Sequence, residues 1–292
     1  MQHETRALIV EGLRLRRLRW LPDGEVSGVL AVIHGYGEHG GRYAHVAAAL
    51  EPAGFAVEAC DLRGHGRSEG ARGHVERFDG YLRDSRRFLE DVAEDHPGAP
   101  LFVLGHSLGG LIVALLAEGP PDAGGRATGG ADPSSWAGIV LSSPFLRLGE
   151  MPSASVLAGA RVLAAITPAR DIGNTLDPGA LSHDAGVVAA YRADPLNHHV
   201  ATARWAVETL TAQKYALAGA TRLSLPLLVL YGSADAIASP VRTRALYERA
   251  SSPDKTLRCY EGWYHELFNE VGKERALAEL AAWLRRRSRP AG

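Results

Sequence analysis

The sequence predicts an α/β fold in which helices flank both faces of a mostly parallel sheet. Two observations lead there. Apolar runs of strand length recur along the chain, with segments of helical spacing between them. Most of these runs are continuous rather than alternating, as in strands buried on both faces. With 292 residues, 46% of them hydrophobic, there is material for a sizeable core in one large domain or two small ones.

The elements follow in order. Leu13, Leu15 and Leu18 interleave with Arg14, Arg16, Arg17 and Arg19. That pattern reads as a half-exposed strand of an N-terminal antiparallel pair, its arginines on a solvated face. Strands are then expected at 29–33, 55–60, 101–104, 138–141, 225–230 and 256–260. Helices are expected over Tyr43 to Leu50, Tyr81 to Glu94, Leu108 to Ala117, Val241 to Ala250 and Glu274 to Arg285. Residues 118–135, dense in Gly, Pro, Ala and Asp, read as a mobile loop. Residues 146–216 carry helical patterns and no good strand, so they read as a helical insertion over the sheet.

Several function classes are excluded early. With 32 basic and 33 acidic groups the net charge is −1, without the basic surplus of a nucleic-acid binder. The apolar run at 111–117 is far shorter than the ~20 residues that span a bilayer. No secretory signal core precedes Glu11, so a soluble, intracellular protein is expected. Two cysteines form neither a disulfide framework nor a zinc site on their own.

The strongest chemical signal is Gly105-His106-Ser107-Leu108-Gly109, set directly between an expected strand and an expected helix. This is a nucleophile elbow, a turn so tight that side chains at its two glycine positions would clash. It exposes the serine hydroxyl at a strand end, before a helix N-terminus. Serine needs a base and an orienting acid. Asp235 and His265 each follow a later strand, in the order Ser, Asp, His. His265 is assigned as base and then acid, Asp235 as the group that fixes its tautomer. The amide of Leu108 and that of Tyr36, in the loop after the strand at 29–33, are assigned as oxyanion donors. Among the other histidines, His106 should turn away from the nucleophile, His34 should support its loop, and His198 and His199 should be surface or packing residues. An alternative overlaps the loop. Gly35, Gly37 and Gly40 form a G-x-G-x-x-G after a strand, with Asp61 about twenty residues on, the pattern of a dinucleotide site.

Taken together, HGYGEHGGRY (34–43), DLRGHGRSEG (61–70), GHSLGG (105–110), VVAAYRADPL (187–196), LYGSAD (230–235) and SPDKTLRCYEGWYHELFNE (252–270) resemble the monoacylglycerol lipase branch of the α/β-hydrolase family. The resemblance implies an eight-stranded, mostly parallel sheet, with core at 1–145 and 217–292 and a helical cap at 146–216. It implies hydrolysis of a monoacylglycerol to fatty acid and glycerol without cofactor or metal. Ser107, Asp235 and His265 match the family triad, and Tyr36 and Leu108 its oxyanion donors. Glu38 and Arg42 fall where the family builds the polar end of the pocket, and Tyr191 where it reaches the glycerol hydroxyls. A carboxylesterase or lysophospholipase with the same triad is the alternative activity. The implied partner is a lipid ester, with weak membrane contact at most through the apolar stretch at 153–166. The family strand order places Cys60 and Cys259 far apart, so two free thiols are expected. Departures from the pattern are the long 118–135 segment, AIAS after Asp235, and Phe268 three residues past His265.

Overall fold

The structure, a computed structural model, describes residues 1–119, 135–151, 153–173 and 176–288. An antiparallel pair opens the chain, β1 (Gln2–Val10) and β2 (Leu13–Leu21). There follow β3 (Gly28–Ile33), β4 (Phe55–Cys60), β5 (Leu101–His106), β6 (Gly138–Ser142), β7 (Leu227–Gly232) and β8 (Lys255–Tyr260). They form one eight-stranded sheet in the order β1-β2-β4-β3-β5-β6-β7-β8, antiparallel only at β1–β2 and β2–β4. Strand β5, which leads into the Gly105–Gly109 turn, is thus central, where both faces are covered.

The continuous apolar runs have a direct cause. In β3, Val29, Ala31 and Ile33 feed the core on one face, while Leu30 and Val32 feed the core on the other. The first core is closed by α2 (Asp79–Asp95) and α3 (Leu108–Glu118), the second by α1 (Ala44–Leu50) and α8 (Glu274–Ser288). Between β6 and β7 lie α4 (Ala154–Ile166), α5 (Ala185–Ala193) and α6 (Ala203–Gly219), and α7 (Pro240–Arg249) follows β7. No strand interrupts the described part of 146–216, where backbone pairing is limited to single bridges at Leu148 and Asp171. Apart from Glu118, Gly119 and Ser135, the loop expected at 118–135 lies outside the described residues.

The structure corrects the N-terminal arginines. Arg17 and Arg19 are buried, not solvated. Both reach Glu58, through Nε at 2.6 Å and 3.1 Å, and His96 closes on the same carboxylate at 2.6 Å. The error has a physical source. Packing of α2 over this end of the sheet covers the odd-numbered face of β2, and period-2 alternation cannot tell water from a buried counter-charge.

Cys60 is buried on β4 and Cys259 is exposed on β8, both free. Four strands separate them, which at ~4.8 Å per strand puts them far beyond disulfide reach. No helix among the described residues is long and apolar enough to cross a membrane.

Candidate active site

The sharp turn at Ser107 is visible in its backbone. Its φ of 52° and ψ of −114° lie outside the regions favoured by side-chain-bearing residues, a conformation that costs about 1–3 kcal/mol. Neighbouring glycines make it possible. A Cβ on Gly105 would stand 2.3 Å from the Gly109 carbonyl oxygen, and one on Gly109 would stand 1.9 Å from that of Ile33. Ser107 caps α3, so the Leu108 amide is the first of that helix and has no acceptor within it. The loop after β3 crosses directly above. A Cβ on Gly35 would lie 3.2 Å from the Ser107 Cβ, so the loop that carries Tyr36 packs against the elbow.

Asp235 and His265 meet through a hydrogen bond. Asp235 Oδ1 accepts the amides of Ile237 at 2.8 Å and Ala238 at 2.9 Å, leaving Oδ2 for His265 Nδ1 at 2.7 Å. The turn after β7 thereby fixes the carboxylate, and the carboxylate fixes the imidazole. Both side chains are almost wholly buried. Burial works against an imidazolium, but the Asp235 carboxylate and its hydrogen bond outweigh it, so His265 is held above the usual imidazole range. His106 is not turned away as expected. Its ring lies 4.8 Å from that of His265, and Nδ1 is 3.4 Å from Ser142 Oγ. Burial and the neighbouring His265 push it down to about 4, so it stays neutral.

Ser107, His265, Tyr36, Glu38 and Tyr191 all border one cavity of about 460 Å³, within the roughly 300–1,000 Å³ usual for small-molecule sites. Its far walls are apolar, with Phe145, Val156, Leu157, Ile172, Trp205 and Leu210 supplied mainly by 146–216. The Tyr36 ring lies 4.1 Å from Trp205, its hydroxyl donates to the Val200 carbonyl, and the His198 amide donates to Gly37 O at 3.0 Å. His198 is buried among these contacts and His199 is exposed.

Buried Glu38 and part-buried Arg42 form an ion pair, and sequence reasoning missed its third member. Glu38 Oε1 accepts the Gly35 amide at 2.6 Å and the Tyr43 hydroxyl at 2.9 Å, while Oε2 accepts Arg42 Nη1 at 2.7 Å. Arg42 also forks onto Glu266, at 2.6 Å and 2.7 Å. Burial alone would raise the Glu38 carboxyl, but Arg42 and the nearby imidazoles bring it down to about 2. Tyr191 covers the guanidinium at 4.9 Å, and its own hydroxyl is 3.4 Å from Gly37 O. Arg42 is not among the described residues bordering the cavity, whereas Glu266 is. The available signal for Glu266 was its place immediately after His265. A second clamp also went unread. Glu270 accepts the His183 amide at 2.8 Å and the Tyr264 amide at 3.1 Å, tying 182–183 to the loop that carries His265.

The dinucleotide alternative finds no support at Asp61. That carboxylate is fully buried and accepts the amides of Gly40 and Arg67, each at 2.8 Å. It serves the loop and presents nothing to a ribose. His34 likewise supports its loop, with Nε2 accepting the Leu62 amide at 2.9 Å.

Strand order, strained elbow and histidine–carboxylate pair define an α/β-hydrolase. Comparisons with known proteins agree. The family model for serine aminopeptidase, S33, matches residues 24–272. The chain is 37% identical to a monoacylglycerol lipase of Mycolicibacterium smegmatis over 276 residues, 94% of each chain. It is 35% identical to a monoglyceride lipase of Rattus norvegicus over 94% of this chain and 87% of that one. The crystal structure of the Paleococcus ferrophilus monoacylglycerol lipase superposes with a TM-score of 0.80 at 33% identity, covering 94% of this chain and 99% of that one. The chain belongs to this family, in its monoacylglycerol lipase branch, and is a carboxylic ester hydrolase.

Proposed function

We propose that the protein hydrolyses monoacylglycerols to a free fatty acid and glycerol through an acyl-enzyme on Ser107. One observation carries the reading. His265, held by Asp235 at 2.7 Å, borders the same cavity as a serine held in a strained elbow. His265 Nε2 takes the Ser107 proton as Oγ attacks the ester carbonyl. The amides of Tyr36 and Leu108 donate to the oxyanion. The imidazolium, stabilised by Asp235, then protonates the departing alcohol. Water attacks the acyl-serine with His265 again as base, and collapse releases the acid. The apolar walls drawn from 146–216 suit one acyl chain, and the polar Glu38, Arg42 and Tyr191 cluster suits the glycerol end. In this reading 146–216 is a cap on a core of 1–145 and 217–292. The names of the relatives at 37% and 35% identity support this substrate over others of the same triad.

The test is a turnover panel of mono-, di- and triacylglycerols with lysophosphatidylcholine at one acyl length, with Ser107→Ala as control. Preference for the monoacylglycerol and loss of at least about 10³-fold in Ser107→Ala are expected. A profile led by lysophosphatidylcholine would move the assignment to lysophospholipase. Full turnover by Ser107→Ala would end the serine mechanism.

A further inference from the structure

The charged side chains described around the cavity are of one kind. Among the described residues that border it, Glu38, Glu150, Asp177 and Glu266 are acidic, and no lysine or arginine is present. Arg42, the cation belonging to Glu38 and Glu266, lies behind them. Its Nη1 serves both carboxylates and its Nη2 serves Glu266, while the Tyr191 ring caps its face. A guanidinium engaged in this way offers no fork to an incoming phosphate, sulfonate or carboxylate. One arginine against two carboxylates leaves a net negative charge beside Ser107. Both carboxylates are about 95% buried, where water screens poorly, so the field reaches the alcohol side of the scissile bond.

From this we infer that the site discriminates esters by the charge of their alcohol, admitting neutral and cationic alcohols and rejecting anionic ones, with Glu266 as a specificity-determining residue. The inference rests on the ester-hydrolase reading and adds a substrate rule to it. Repulsion of the wrong ligand supplies the selectivity, and no contact to the right one is required. Monoacylglycerols and choline-type esters satisfy the rule, whereas acylglycerol phosphates violate it.

Three octanoyl esters of one shape test this. Their alcohols are choline, 3,3-dimethylbutanol and 2-hydroxyethanesulfonate, which carry a trimethylammonium, a tert-butyl and a sulfonate group on the same two-carbon arm. Each is assayed as a monomer, by fatty-acid release. For the wild-type protein, kcat/KM for the sulfonate ester is expected at least about tenfold below that of the tert-butyl isostere. The choline ester should equal or exceed the isostere. Glu266→Gln keeps shape and removes one charge, so it should narrow the sulfonate gap severalfold, chiefly through KM. Equal turnover of the sulfonate and tert-butyl esters overturns the inference. So does an unchanged gap in a folded Glu266→Gln protein. Should that variant fail to fold, the wild-type series still decides. Turnover of none of the three removes the ester-hydrolase reading itself, a result distinct from turnover without charge preference.

Discussion

Replacing Asp235 by Asn changes one atom at the point where the site is most rigidly built. The amide oxygen can still accept the Ile237 and Ala238 amides, now held at 2.8 Å and 2.9 Å, so the turn after β7 has no cause to move. The other atom becomes an NH₂ facing His265 Nδ1, in place of a carboxylate oxygen at 2.7 Å. Two donors cannot share that contact, so Nδ1 must become the acceptor and the imidazole proton moves to Nε2. That nitrogen then cannot take a proton from Ser107. The expected loss in kcat/KM is about 10³–10⁴-fold, or roughly 4–5.5 kcal/mol of barrier at 1.36 kcal/mol per decade. The pH profile should change too. His265 acts as base only when neutral, and it is held above its ordinary 6.5, so the wild-type activity rises with pH through a limb above 6.5. Without Asp235, burial is left with weaker opposition and the limb moves to lower pH. The assay is p-nitrophenyl butyrate hydrolysis from pH 5 to 9, with circular dichroism to verify the fold. An Asp235→Asn protein within tenfold of wild type, with its limb unmoved, would refute the role assigned to Asp235.

Other outcomes follow from the same geometry. Gly109→Ala would drive a methyl to 1.9 Å from the Ile33 carbonyl oxygen. It should cost about 3 kcal/mol or more and lower Tm by at least about 6 °C; an unchanged melt would contradict the packing. His106 and His198, both pushed to about 4 mainly by burial, stay neutral when folded but protonate near 6.5 when unfolded. Their contribution to stability is therefore complete above pH 6.5 and is lost as pH falls from 6.5 toward 4, while His265, shifted upward, acts in the opposite sense. Thermal melts should drop over that window, and less steeply in His198→Asn; identical slopes would argue against it. Finally, Ellman's reagent should titrate one thiol rapidly in the native protein, Cys259, and the buried Cys60 only after denaturation. Two fast thiols would place Cys60 wrongly.

Much of the fold was legible because buried parallel strands leave a one-dimensional mark. The runs at 55–60 and 101–104 begin where β4 and β5 begin, and the run at 29–33 begins one residue into β3. The elbow was legible for a related reason, since its two glycines are demanded by local sterics that no distant residue can relax. The pairing of Asp235 with His265 was legible from their positions after late strands. Tertiary charge pairing was not legible. Arg17 and Arg19 read as solvated because Glu58 lies 41 and 39 residues away from them. Glu266 was missed because its partner, Arg42, is 224 residues away, and adjacency to His265 by itself marks no chemistry. The expectation for His106 came from the elbow alone, which takes no account of the ring brought against it by the loop after β8.

The most direct measurement is covalent trapping by an alkyl fluorophosphonate, which loses fluoride as a serine oxygen bonds to phosphorus. Intact mass and peptide mapping should give one adduct per chain, on Ser107, formed in step with the loss of esterase activity and strongly slowed in His265→Ala. Inactivation with the adduct on another residue, or activity that survives complete labelling of Ser107, would contradict a nucleophile at the elbow.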